Sequence, residues 1–318
     1  MTTIYTCTMN LAIDLFIETD TLYPKVVNRT IDDEIQANGK GVNVSLILKK
    51  LGQENTAIGF SGGFTGKYIE NTLKCTGIQT NFIQVPGMTR INVFTQVNEE
   101  QTEYKLVNKG PVIPENEIEK LLTVVKGIEK GAFLCVSGSL PQGVSETILV
   151  ELSKLAKEQH FHLILDSSYQ SVMDCLPYQP YLLKPNEDEL ADWFGQKEIS
   201  FEEMPKYLKE LLNKGAQRIL LSLGDKGCIY ADKETLLYGN APKGKVVNTA
   251  CAGDTLLGTF IKGNILGEPL EETLKNSIAA GSSTAFRKGL TDFSDLEALK
   301  EQITIKQLEK EPHLQGGM

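Results

Sequence analysis

One pattern repeats along the middle of the chain and leaves little freedom of fold. A short continuous apolar run ends at a polar or glycine-bearing stop, and a helical stretch follows. Ala132-Phe133-Leu134-Cys135-Val136 stops at Ser137-Gly138-Ser139, with Pro141 beyond, and helical periodicity covers 146–159. His162-Leu163-Ile164-Leu165 stops at Asp166. Tyr181-Leu182-Leu183 passes through Lys184-Pro185-Asn186 into a helical segment over 187–194. Arg218-Ile219-Leu220-Leu221 stops at Ser222-Leu223-Gly224. Strands without alternation are buried on both faces, and intervening helices supply the cover. The expectation is an α/β fold with a central, mostly parallel sheet between two helical layers. Ligands of such sheets collect at the carboxyl ends of the strands, where these polar stops fall.

Two regions depart from the pattern. Leu15–Thr19 with Val26–Arg29, and Arg90–Val97 with Glu103–Val107, alternate apolar and polar residues. Alternation suits half-exposed antiparallel strands. They predict a small projecting sheet, a lid drawn from about 11–35 and 88–108, whose face covers a ligand or a second copy of the chain. The 318 residues then form one domain over 1–310 with a tail at 311–318.

Composition narrows the function. The formal net charge is -9 and there is no long basic tract, which disfavours nucleic acid as a partner. A chain of this charge that handles phosphate must gather its cations locally. The six cysteines form no CxxC pair, and the three histidines form no ligand cluster, so buried thiols and structural imidazoles are expected, with His160 and His162 flanking Phe161 at a strand entrance. The first residues lack a basic stretch followed by an apolar one, and no run approaches the roughly 20 apolar residues of a membrane span. A cytoplasmic protein with no membrane partner is the expectation.

Chemistry concentrates in two clusters. Val246–Thr255 runs through Cys251-Ala252-Gly253-Asp254 into a helix-like segment from Leu256. Amides at a helix start favour an anion, and a carboxylate there makes sense as a base that takes a proton from a nucleophile. Gln36-Ala37-Asn38-Gly39-Lys40-Gly41-Val42-Asn43 combines glycines for close backbone approach, a helix from near Val42, and an asparagine able to donate to and accept from sugar hydroxyls. Together with Asn10-Leu11-Ala12-Ile13-Asp14, Gly62–Gly66, Thr89–Asn92, Ser137–Pro141, Lys184–Glu189 and Ser222–Gly227, these motifs occur in an order that resembles the PfkB, ribokinase-like carbohydrate kinases. The branch most similar is the hexose-phosphate one, that of 1-phosphofructokinases and tagatose-6-phosphate kinases. The resemblance covers about 4–308.

What the resemblance implies is ATP-dependent phosphorylation of a ketohexose monophosphate, with Mg2+ as cofactor. Fructose 1-phosphate is the expected acceptor. Tagatose 6-phosphate, or a non-catalytic sugar-phosphate sensor, is the alternative. Asp254 matches the catalytic base, and Cys251, Ala252 and Gly253 belong to its anion hole. Asp14, Gly39, Lys40 and Asn43 match the acceptor site, Arg90 and Ser139 the phosphate already on the substrate. Arg29 matches a lid arginine that in relatives can reach a neighbouring subunit, and a homodimer through the lid strands is expected because one apolar strand face of the lid needs cover. Lys184, Asn186, Ser222, Gly224 and Gly227 match nucleotide contacts, and Glu189 an indirect metal contact through water. Cys251 stands where the family has glycine, so its side chain is expected to crowd the anion hole or shift its backbone.

Overall fold

The computed structural model describes residues 2–308. The tail 311–318, with His313, lies outside the described residues. The chain opens with β1 (Ile4–Thr8), β2 (Ala12–Thr19), β3 (Asp32–Asn38), α1 (Lys40–Lys50), β4 (Thr56–Gly62), α2 (Gly63–Cys75) and β5 (Gln79–Val85). It continues through β6 (Arg90–Val97), β7 (Thr102–Leu106), α3 (Glu115–Lys126), β8 (Phe133–Ser137), α4 (Thr147–Gln159), β9 (His162–Asp166), α5 (Val172–Cys175), β10 (Leu182–Leu183) and α6 (Glu187–Trp193). The last third holds α7 (Met204–Lys214), β11 (Arg218–Ser222), β12 (Cys228–Asp232), β13 (Leu236–Gly239), α8 (Ala252–Leu266), α9 (Leu270–Ala285), α10 (Leu296–Lys300) and β14 (Ile305–Gln307).

The large sheet has ten strands in the order β14-β13-β12-β11-β10-β9-β8-β1-β4-β5. The pairings from β11 to β5 are parallel, while β12, β13 and β14 pair antiparallel. Successive strand residues serve opposite faces. Leu134 and Val136 join one core with Leu149 and Leu152 of α4 and Leu208 and Leu211 of α7. Phe133 and Cys135 join the other, with Leu257 and Phe260 of α8 and Leu274 and Ile278 of α9. This two-sided burial is why the strands read as unbroken apolar runs. His162 has a packing role, its ring 4.6 Å from those of Phe133 and Tyr181. All six cysteines are unpaired.

The smaller sheet has the order β3-β2-β6-β7. It differs from the expected all-antiparallel lid at its centre, where β2 and β6 run parallel over the full length of both, with Phe16 and Phe94 stacked at 5.1 Å. The segment Val26–Arg29 is a loop and not a strand. Lys25 takes a positive φ of 65°, and the Asn28 side chain closes on Tyr23 through both its oxygen and its nitrogen, which folds the segment back on itself.

Candidate active site

The carboxyl ends of β1, β8, β9, β10 and β11 meet the lid and the start of α8, and there the motifs converge. Helix α8 begins at Ala252, earlier than the expected Leu256. Cys251 produces that start. It adopts a left-handed backbone, φ 65°, and its carbonyl accepts the Thr255 N–H at 2.9 Å, closing the first turn. A left-handed residue other than glycine is uncommon. The Cys251 sulfur turns toward Asn43, 3.1 Å from its Nδ2. Burial pushes the thiol well above its ordinary range, which favours the protonated form.

The first-turn amides are divided. Ala252 makes a long bond of 3.4 Å to the Thr249 carbonyl. Gly253 and Asp254 make none among the described residues. Their N–H groups and the positive end of the helix dipole form an anion cradle. Lys184 borders it: a Cβ on Gly253 would come 3.5 Å from the Lys184 ammonium. The Asp254 carboxylate is 6% exposed, and its Oδ2 accepts from Asn43 Nδ2 at 2.8 Å. Burial, then the negative field of Asp166, push its pKa up to about 6, against the opposing pull of Lys40, Asn43 and Lys184.

Asp166 is a functional residue that the sequence marks only as a charge closing an apolar strand. Fully buried, it pairs with Lys184 at 3.0 Å and Lys40 at 3.3 Å. Burial works against its charge, but the two ammonium groups win and hold its carboxyl below the usual range. It thus keeps two cations beneath the anion cradle.

Gly39 caps α1 with φ 133°, a conformation that side chains rarely adopt. A Cβ on Gly41 would lie 2.5 Å from Thr8 Oγ1, so its missing side chain lets α1 press onto β1. This seats Lys40 beside Asp166 and Asn43 beside Asp254. Asp14, from β2, is 5% exposed, and burial raises its pKa above the ordinary carboxylate value even though Asn92 and Asn38 donate to its two oxygens.

Arg90 opens β6. Its guanidinium donates to the Asn108 carbonyl at 3.1 Å and the Asn10 carbonyl at 3.2 Å, while its buried Nε has no partner. Asn10 in turn donates to Ser139 Oγ at 3.2 Å, and its buried Oδ1 is also unpartnered. Residues from three segments therefore form one polar cluster with unspent hydrogen-bonding capacity. Sequence reasoning placed Arg90 and Ser139 there and passed over Asn10.

The nucleotide-side residues show more structural work than expected. Asn186 and Glu189 form a reciprocal capping box at the start of α6, with bonds of 2.7 and 2.9 Å. Ser222 Oγ donates to the Pro185 carbonyl at 3.3 Å, joining β11 to the β10 end. Gly227 is required by packing, since a Cβ there would lie 2.0 Å from the Gly239 carbonyl oxygen. Gly224 lies in an exposed turn with φ 57° and open space around it. Arg29 stands apart from the other site residues, exposed on the lid loop, and its side chain makes no bond among the described residues.

Residues 5–297 match the model of the pfkB family carbohydrate kinases. The chain belongs to this family. A D-tagatose-1-phosphate kinase of Bacillus licheniformis is 51% identical over 96% of this chain and 100% of the relative. The 1-phosphofructokinase of Bacillus subtilis is 31% identical over 96% and 100%. The crystal structure of phosphofructokinase-2 from Escherichia coli with fructose-6-phosphate superposes with a TM-score of 0.86, at 30% identity, over 95% of this chain and 99% of that one. The pfkB fold expected from the motifs is therefore present, and the protein is a sugar-phosphate kinase of the 1-phosphofructokinase and tagatose-phosphate kinase type. Kinases of this family use ATP and a divalent metal. No helix among the described residues is long and apolar enough to cross a membrane.

Proposed function

We propose that the chain transfers the γ-phosphoryl group of ATP to the C6 hydroxyl of a ketohexose 1-phosphate, with D-tagatose 1-phosphate as preferred acceptor. The observation that carries the acceptor's charge is the polar cluster of Arg90, Asn10 and Ser139, with a buried guanidinium N–H left unpaired. A neutral sugar gives no reason to desolvate an arginine, whereas a phosphate rewards it with charge-assisted bonds. The sugar itself is chosen on similarity, 51% to a D-tagatose-1-phosphate kinase. Fructose 1-phosphate, the acceptor expected from the motifs, is the second reading, supported by 31% identity to a 1-phosphofructokinase.

In this reading Asp14 and Asn43 hold acceptor hydroxyls, and the primary hydroxyl meets Asp254. Asp254 takes its proton as the oxygen attacks the γ-phosphorus in line, the bond to the ADP oxygen breaks, and ADP leaves. The amides of Gly253 and Asp254, with Lys184, hold the charge that gathers on the moving phosphoryl group. Among the described residues no three His, Cys, Asp or Glu side chains converge on a metal position. Mg2+ keeps its waters and binds substrate phosphates with few protein carboxylates, and by the family resemblance Glu189 would meet such a water. Bound there, the ion would offset phosphate charge.

The test is an ADP-release assay against D-tagatose 1-phosphate, D-fructose 1-phosphate, D-tagatose 6-phosphate and D-fructose 6-phosphate. The highest kcat/KM should fall on tagatose 1-phosphate. A preference for either 6-phosphate would overturn the acceptor assignment, and binding without ADP release would make the chain a sensor.

A further inference from the structure

Five side chains form one unbroken hydrogen-bonded chain across the site. Asn92 Nδ2 donates to Asp14 Oδ1 at 2.8 Å, and Asn38 Nδ2 donates to Asp14 Oδ2. Asn43 Nδ2 then donates both to Asn38 Oδ1 and to Asp254 Oδ2, each at 2.8 Å. Asn38 is the link between the two carboxylates, and neither the motif reading nor the proposed mechanism gives it a role.

The polarity of this chain is set at one point. The Gly39 N–H donates to Asn38 Oδ1 at 2.5 Å. A backbone N–H can only donate, so the Asn38 oxygen must face it and the Asn38 nitrogen must face Asp14. The oxygen so placed also requires Asn43 to present its nitrogen, and the same nitrogen then faces Asp254. Cys251 Sγ touches Asn43 as well, but sulfur is a weak acceptor and orients an amide poorly. Without Asn38, the Asn43 amide is free to rotate and offer its oxygen to Asp254. That arrangement suits a protonated carboxyl, the form that cannot act as a base.

We propose that Asn38 is a positioning residue that ties Asp14, the carboxylate gripping the acceptor, to the orientation of the Asn43 amide at the catalytic base. The inference rests on the kinase reading for Asp14 and Asp254. It adds a device that keeps the base ready to accept a proton while both oxygens of the gripping carboxylate are held in place. A fixed Asp14 also accepts from acceptor hydroxyls in one geometry, so Asn38 should sharpen the choice between ketohexose epimers.

The test compares wild type, Asn38→Ala, Asn43→Ala and the double variant. The first readout is the acid limb of kcat/KM. The second is the titration of the Asp254 carboxyl by 13C NMR without substrate, assigned with Asp254→Asn. Asn38→Ala should move both midpoints up by about one pH unit, roughly tenfold in proton affinity. It should also narrow the kcat/KM ratio between D-tagatose and D-fructose 1-phosphates. Because Asn38 reaches Asp254 only through Asn43, its substitution should add nothing to the shift of the two midpoints once Asn43 is alanine. Unmoved midpoints, or effects that add in the double variant, overturn the proposal. Asn38→Ser, which keeps a short polar group before α1, takes the place of alanine if that chain does not fold. Failure of wild type to phosphorylate any ketohexose phosphate would sink the functional reading alone, since the NMR titration still decides the role of Asn38.

Discussion

At the residue scale the site is a contest between burial and charge, and Asp254 sits at its centre. As a base it must be ionised, so a pKa of about 6 predicts that kcat/KM falls with an acid limb near that pH and stays level above it. Asp254→Asn should lower kcat by ~10²–10⁴-fold while acceptor binding, measured by calorimetry, survives. Stability should move the other way. The folded state raises this carboxyl from 3.8 to about 6, so the folded protein binds the proton more tightly than the unfolded one. Wild type therefore loses stability as pH rises through that window and has lost it fully above 6. Asp254→Asn, which carries no charge to bury, should melt at a higher temperature than wild type at neutral pH and at nearly the same temperature near pH 4, by thermal denaturation at both pH values. Arg90 is argued from its unpaired donor. Removing charge-assisted bonds to the acceptor phosphate should raise the acceptor KM ~10–100-fold on Arg90→Ala and leave the KM for ATP nearly unchanged. An equal rise in both constants would take Arg90 out of the acceptor pocket.

At the element scale the informative case is α6, whose start carries both a cap and a candidate metal contact. Glu189→Gln keeps an acceptor for the Asn186 N–H, so the capping box and the melting temperature should persist. Glu189→Ala should cost ~0.5–2 kcal/mol in urea denaturation. If Glu189 also meets metal-bound water, the glutamine variant alone separates the roles, with normal stability and a higher Mg2+ requirement for half-maximal rate. The strand β9 was legible to the residue, because an apolar run closed by Asp166 leaves no other boundary, and β11 was legible from its start at Arg218. The antiparallel strands β12–β14 were not, since nothing local marks which way an edge strand runs. The parallel pairing of β2 with β6 joins residues some eighty positions apart, so no window of sequence contains it. The site divides in the same way. Asp254, Asn43 and Gly39 show in local motifs, whereas Asp166, Asn10 and Asn38 acquire their roles only from partners that folding brings to them.

At the scale of the whole molecule, the lid carries more apolar surface than one chain can cover. Tyr23, Val27, Ile31 and Ile35 are exposed along its loop and β3 edge, and Leu106 along β7, with Val27 84% open. Such a surface on a sheet that already has one inner face over the site calls for a partner, and a second copy of the chain supplies a matching face. We therefore propose a homodimer through the lid strands, and Arg29 gives the arrangement a purpose. Its side chain makes no bond to the site of its own chain among the described residues, and it matches a family arginine that can reach a neighbouring subunit. Sedimentation velocity at micromolar concentration should give a dimer, and Leu106→Asp or Ile35→Asp should give a monomer with intact secondary structure by circular dichroism. If Arg29 serves the partner's acceptor phosphate, the monomeric variant and Arg29→Ala should raise the acceptor KM by similar factors. The combination should then be no worse than either alone, because each removes the same contact. A monomeric variant with wild-type acceptor KM would leave each lid serving only its own site.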